Sequence, residues 1–190
     1  MKNAVIAVMY TILFCVTALS ANALEYKGVK VDETAQVSGS ALVLNGVGLR
    51  QKMMFKVYVG ALYLTQKQTT ADAVLNDSGN RRVSIHFLRE TESEELLKGM
   101  NKGFADNNSA SEMAAIEQQM KQFRDMITST KKVKKGDLIV LDLTSAGTQV
   151  SINGKSLGTL EDARFNQALL KVWLGQKPVD ASLKKAMLGL

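Results

Sequence analysis

The only histidine in this 190-residue chain is His86, two residues beyond Ser84. A serine and a histidine on one strand face could begin a nucleophile and base pair, but a triad also needs a carboxylate, and the sequence marks none beside them. His86 therefore reads as a structural histidine. One histidine and scattered carboxylates lack the clustered spacing of a zinc site. Gly46 and Gly48 form a Gly-x-Gly pair without the third glycine and the following helix of a dinucleotide-binding turn, so they read as a turn before a strand. Glu94 and Glu95 are adjacent, so on a helix they point in different directions and cannot act as a facing acid and base. These residue types imply neither a metal nor a cofactor.

The sole cysteine, Cys15, lies in an N-terminal segment with the form of a secretory signal. Lys2 supplies one positive charge, Ala4 to Leu19 is almost wholly apolar, and Ala21-Asn22-Ala23 offers small residues for cleavage after Ala23. An apolar run of roughly 16 residues is short for a membrane span, which needs about 20. Phe14 precedes Cys15 where a lipoprotein signal wants a small residue. Cleavage would leave residues 24–190 as one domain, long enough to bury a core and free of cysteine.

The formal net charge of the whole chain is +6. Its densest basic cluster, Lys131-Lys132-Val133-Lys134-Lys135, stands beside a Gly-Asp turn and reads as a solvated loop. It could also touch an anionic membrane surface or nucleic acid. Nothing in this modest excess calls for a nucleic-acid partner.

Along the chain, a two-residue period gives way to a helical one. Ala41 to Leu44 leads into the turn-like Asn45-Gly46-Val47-Gly48, Met53 to Leu64 reads as a long strand, and Val83 to Phe87 alternates as a half-buried strand. Thr91-Glu92-Ser93-Glu94 and Ser109-Ala110-Ser111-Glu112 both have the capping-box form. The first precedes an apolar stripe of Leu96, Leu97, Met100 and Phe104; the second precedes Met113, Ile116, Met120, Phe123 and Ile127. Leu138 to Leu143, Thr148 to Ile152 and Lys155 to Leu160 read as strands, the last two joined through Asn153-Gly154. Asp162 can cap a helix carrying Phe165, Leu169, Val172 and Trp173 and closed by Gly175, and Asp180 a last one with Leu183 and Met187. This order predicts an antiparallel α+β fold with helices gathered on one side of the sheet.

Three stretches in order carry a resemblance: Asn45-Gly46-Val47-Gly48-Leu49-Arg50, then Phe55 to Leu64, then Ala168 to Gly175 with Lys177-Pro178-Val179. Together they resemble the chalcone isomerase-like family, specifically its short bacterial exported members. The resemblance implies an open-faced β-sandwich, a curved antiparallel sheet covered by a layer of helices, with a cleft between the layers for an apolar ligand. It also implies a periplasmic location. In the family's enzymes an arginine follows Gly-x-Gly-x at the cleft, which puts Arg50 in that role, and the ketone-polarising threonine corresponds to Tyr58. The tyrosine and asparagine expected in the following helix are absent from Glu92 to Gly99, and Val172 stands where the enzymes have a hydroxyl. Most of the ketone-binding network is missing, and one arginine supplies only part of the stabilisation cyclisation needs.

What remains suits a carboxylate, because a guanidinium gives two parallel donors and a phenol a third. Ligand-binding candidates are Arg50 and Tyr58, with Met54 and Tyr63 as further lining groups. Above such a headgroup each buried methylene would add roughly 0.8 kcal/mol. The alternative for Arg50 is an ion pair with a helix glutamate such as Glu92, with the strand aromatics as core. Three functions follow: a non-catalytic binder of a small amphipathic or fatty acid, an intramolecular lyase or isomerase acting on an enone, or an accessory protein of a membrane complex.

Overall fold

The computed structural model describes residues 23–190. The expected signal segment falls on residues 1–22, outside the described residues, and the cleavage point lies at their edge. The dominant element is a curled seven-stranded antiparallel sheet, which with its helices makes the α+β open-faced sandwich expected.

Three of its strands come early: β3 (Thr34–Val37), β4 (Ser40–Lys52) and β5 (Phe55–Leu64). They follow a separate ribbon of β1 (Ala23–Tyr26) and β2 (Val29–Asp32). After α1 (Ala71–Asn76) comes β6 (Arg81–Phe87) at the sheet centre. A short ribbon of β7 (Thr91–Glu92) and β8 (Lys132–Val133) encloses α2 (Ser93–Asn107), α3 (Ala110–Ala115) and α4 (Glu117–Thr128). The sheet is completed by β9 (Leu138–Thr144), β10 (Gly147–Ile152) and β11 (Lys155–Leu160), and the chain ends with α5 (Ala163–Leu174) and α6 (Ala181–Met187). The spatial order β11-β10-β9-β6-β5-β4-β3 leaves β11 and β3 at the edges.

Strand alternation divides the core in two. Tyr58, Leu62, Val83, Ile85, Phe87, Leu141 and Leu143 point to the face that α5 covers through Phe165, Leu169 and Trp173. Val59, Ala61 and Tyr63 point to the opposite face, where Val31 of the β1–β2 ribbon closes a smaller cluster.

Several expectations need correction. Asn45 to Gly48 is not a turn; β4 runs through it with a bulge between Leu44 and Gly46. The glycines serve close approach instead. A Cβ at Gly46 would fall inside contact distance of the Ala186 carbonyl oxygen, and one at Gly48 would lie 2.6 Å from the Ala186 Cβ. The capping box at Thr91 does not form, because α2 is capped at Glu92, which places Glu94 one position too early to reach back. The box from Ser109 to Glu112 forms in full. The helix after it breaks at Ile116, whose φ of −120° leaves the helical range, giving α3 and α4. Gly175 closes α5 without a left-handed φ; it is needed because a Cβ would strike Asn107 Oδ1. The basic run is only partly a solvated loop, since Val133 is buried in β8 and Lys132 pairs with Glu90 at 2.9 Å.

Candidate functional site

The register of β4 on β5 sets Arg50 directly opposite Tyr58, so both side chains leave the same face of the sheet. Gly48 stands opposite Gly60 two residues earlier on that face, and Gly46 opposite Leu62. This bare strip seats α6. Held there, α6 brings its N-cap Asp180 to the end of the strip, beside Arg50. The Asp180 carboxylate accepts hydrogen bonds from the Ser182 and Leu183 amides and, through its other oxygen, from the Gln51 amide. Arg50 Nη1 lies 3.9 Å from Asp180 Oδ2 and donates to the Gln51 carbonyl at 2.9 Å. The partner of Arg50 is thus Asp180, not the helix glutamate that the sequence left open. At 3.9 Å the pair is long for a charge-assisted hydrogen bond, so Asp180 locates the guanidinium without saturating its donors.

Tyr58 is buried against Phe87, with ring centroids 5.9 Å apart, and its oxygen accepts a 2.9 Å hydrogen bond from Trp173 Nε1. Burial pushes its phenol above the usual tyrosine value of 10, against smaller downward pulls from Trp173 and Arg50. The group therefore stays protonated at neutral pH. Among the described residues its hydroxyl hydrogen finds no acceptor, which leaves it free to donate to a ligand.

Arg50 and Tyr58 lie at the protected end of a cleft of about 610 Å³. One wall is the hairpin of β4 and β5, contributing Met53, Phe55 and Val57; the other is α2, contributing Leu96, Gly99, Met100 and Gly103. Pro178 and Val179 close the side next to α6. Gly103 fixes how closely α2 approaches α5, since a Cβ there would come within 2.7 Å of Val172 Cγ1. The rim carries Lys52, Arg89, Lys98, Lys102 and Lys177 against Glu95 and Asp106.

The remaining sequence candidates do not join this pair. Tyr63 is five residues beyond Tyr58 on the same strand, so alternation turns it to the opposite face, where it is buried with Val59 and Ala61. Burial raises its phenol as well. Met54 lies at the hairpin tip, 83% exposed and outside the cleft lining, while its neighbour Met53 takes the rim position. His86, whose charged form burial disfavours, shares its strand parity with Ser84 and faces away from the cleft. Sequence reasoning missed Thr91, which is buried, lines the cleft, and has a hydroxyl without a hydrogen-bond partner among the described residues. It also missed Asp180 as the companion of Arg50. The helix-cap signal that found Asp180 gave its local role but not its cross-chain one.

A sequence model described as chalcone isomerase-like matches residues 23–189. The chain belongs to the chalcone isomerase-like family. Among solved structures, this chalcone isomerase-like chain is similar to a fatty-acid-binding protein of Arabidopsis thaliana, with a TM-score of 0.68 at 14% identity over 88% of this chain and 96% of that chain. At that identity the likeness is one of fold. No curated protein matches the chain.

Proposed function

We propose that this protein is a non-catalytic binder of a small amphipathic acid, with fatty acids as the ligand class, and that it works outside the cytoplasm after loss of residues 1–23. The observation that carries the reading is the side-by-side placement of Arg50 and protonated Tyr58 at the protected end of an apolar-walled cleft. A guanidinium and a phenol donor together suit a carboxylate, and Val57, Leu96, Met100 and Val179 offer the surface for an acyl chain. A cleft of about 610 Å³ is of the size that holds small ligands. The binding activity named for the Arabidopsis protein of the same fold supports the class of ligand. Export rests on the apolar run from Ala4 to Leu19 and the Ala21-Asn22-Ala23 site.

Native mass spectrometry of the protein purified without detergent tests this. A carboxylic acid carried by the parent and absent from Arg50→Ala is the expected result. An empty parent that also fails to take up added fatty acids overturns the reading. Asp180→Asn refines it: asparagine still caps α6, while removal of the carboxylate frees Arg50 from a competing charge, so fatty-acid affinity should rise. The same donor pair could polarise an enone carbonyl; loss of enone absorbance on mixing with the protein would favour the lyase reading.

A further inference from the structure

We propose that the hairpin tip Met53-Met54-Phe55 docks the mouth of the cleft onto an anionic lipid bilayer. The tip is an anomaly of exposure. Among the described residues, apart from Leu24 and Leu190 near their ends, the exposed large apolar side chains are these three consecutive residues, at 90%, 83% and 53%. Hydrophobic burial within the fold does not account for them.

Turn chemistry does not account for them either. Lys52 pairs with Phe55 and Ile152 pairs with Lys155, so both hairpins have two-residue loops. The second uses Asn153-Gly154, with φ values of 51° and 79°, the residue types that tolerate the left-handed region. The first places Met53 at φ 55°, where a bulky side chain is disfavoured. A polar Asn-Gly tip would suit water and the backbone better, so neither the core nor the turn explains two methionines and a phenylalanine at this position.

The charges around the tip identify that surface. Lys52 and Lys56 flank it on both strands, and the Arg89 guanidinium lies 5.0 Å from the centroid of the Phe55 ring. The rim carries five cations, Lys52, Arg89, Lys98, Lys102 and Lys177, against two carboxylates, Glu95 and Asp106, which pair with Lys52 and Lys102, so that Arg89, Lys98 and Lys177 are the surplus. Basic side chains around an apolar point match lipid phosphates around acyl chains. Among the described residues no helix is long and apolar enough to cross a membrane, and the three-residue tip reaches only the interfacial region. Because Met53 and Phe55 also line the cleft, its apolar wall continues into the tip. Docking stands without the ligand reading; a route for a fatty acid between bilayer and cleft rests on it.

Vesicle flotation of the exported protein tests the proposal, with its N-terminal mass verified and with vesicles of phosphatidylcholine alone or mixed with phosphatidylglycerol. The parent should float with the anionic vesicles, less so at high salt, and Met53→Ser/Met54→Ser/Phe55→Ser should lower partitioning about tenfold or more while its thermal unfolding is unchanged. Lys56→Glu should weaken it in the same direction. In Phe55→Trp, emission should shift to shorter wavelength on anionic vesicles and be quenched by brominated acyl chains; Trp173 is buried and should not respond. A parent that does not float, a triple variant that floats as well, a Phe55→Trp emission indifferent to brominated lipid, or equal binding to neutral vesicles overturns the proposal. So does a concentration-dependent dimer that the triple variant loses, without vesicle binding, since the tip would then meet a second copy. Ligand content, weighed separately on each variant, distinguishes a failure of docking from a failure of acid binding.

Discussion

Tyr58 and Trp173, 115 residues apart, share a buried 2.9 Å hydrogen bond in which the indole donates to the phenol oxygen. It joins α5 to the sheet at Tyr58, which lines the cleft. The consequence for the site is one of roles: Trp173 occupies an acceptor position of the oxygen, so what Tyr58 offers a ligand is its proton.

Tyr58→Phe removes the acceptor and leaves a buried indole N–H unpaired, at a cost of about 1–3 kcal/mol. Urea unfolding at neutral pH should show it as a lower midpoint with an unchanged slope. The alkaline limb gives a second readout. The folded phenol has a raised pKa, so the stability tied to it is complete below the ordinary value of 10 and is lost as pH rises toward the folded value. The variant should therefore lose less stability than the parent above pH 10, with the remaining slope coming partly from Tyr63, which burial shifts the same way.

The glycine motif and the long strand single out Arg50 and Tyr58 as candidates, but their register is not legible in the sequence: a two-residue loop at Met53-Met54 alone would set Arg50 opposite Val57, and the bulge beside Gln51 moves it to Tyr58. Tyr63 does not belong with them, and the same alternation excludes it: residues 58 and 63 differ by an odd number and cannot share a face. Gly46 and Gly48 mislead for a different reason. Glycine signals both turns and close approach, and only the position of α6, far along the chain, decides between them. Asp180 and Thr91 are out of reach as site residues because their cleft neighbours are supplied by packing between elements far apart in sequence. The helical stripe from Leu96 to Phe104 reads as one core face. In the structure Leu97 and Phe104 are core, Leu96 lines the cleft, and Met100 serves both, a division set by the hairpin that stands opposite α2.

Three glycines give a sharp contrast under the same substitution. Gly48→Ala places a methyl group 2.6 Å from Ala186 Cβ and 3.0 Å from Leu183 Cδ1. It should cost about 1–3 kcal/mol by overpacking, and Gly46→Ala, which meets backbone rather than side chain, should cost at least as much. Both should loosen α6 and with it the Asp180 end of the cleft. Gly99→Ala, in the middle of α2 with nothing within 4 Å, should instead stabilise the protein by about 1 kcal/mol. Thermal unfolding of the three variants should move in these opposite directions.

Glu112 controls part of the acid limb of stability. Its carboxylate accepts from Lys171 at 2.7 Å, from the Ser109 amide at 2.7 Å and from the Ser109 hydroxyl at 2.9 Å, which together lower its pKa from 4.5 to about 2. A depressed folded pKa contributes stability that is present above the unfolded value and lost as pH falls toward the folded one. Glu112→Gln should therefore be less stable than the parent at pH 7, with the gap closing between pH 4.5 and about 2. The group is largely exposed and screened by solvent, so the difference at neutral pH should be modest, and added salt should shrink it. A gap that stays constant on acidification would assign the effect to the capping geometry instead of the charge.

Thr91 holds a buried hydroxyl that no described residue satisfies, and its position on the cleft wall makes a ligand or a bound water the natural partner. Valine has the same shape, suits the extended backbone of β7 and pairs as well with Val133 across the ribbon. Thr91→Val should therefore leave the ligand-free protein as stable as the parent or up to about 1 kcal/mol more stable, because an unpaired polar atom is removed from the interior. Binding should respond in the opposite sense: an acid whose polar group reaches Thr91 should bind the variant more weakly, while a purely hydrocarbon chain at that point should bind it as well or better. Calorimetric titration with a plain fatty acid and with chain-hydroxylated analogues separates the two cases. A loss of stability in the ligand-free variant would mean that a structural water satisfies Thr91, and the hydroxyl would then belong to the fold and not to the ligand.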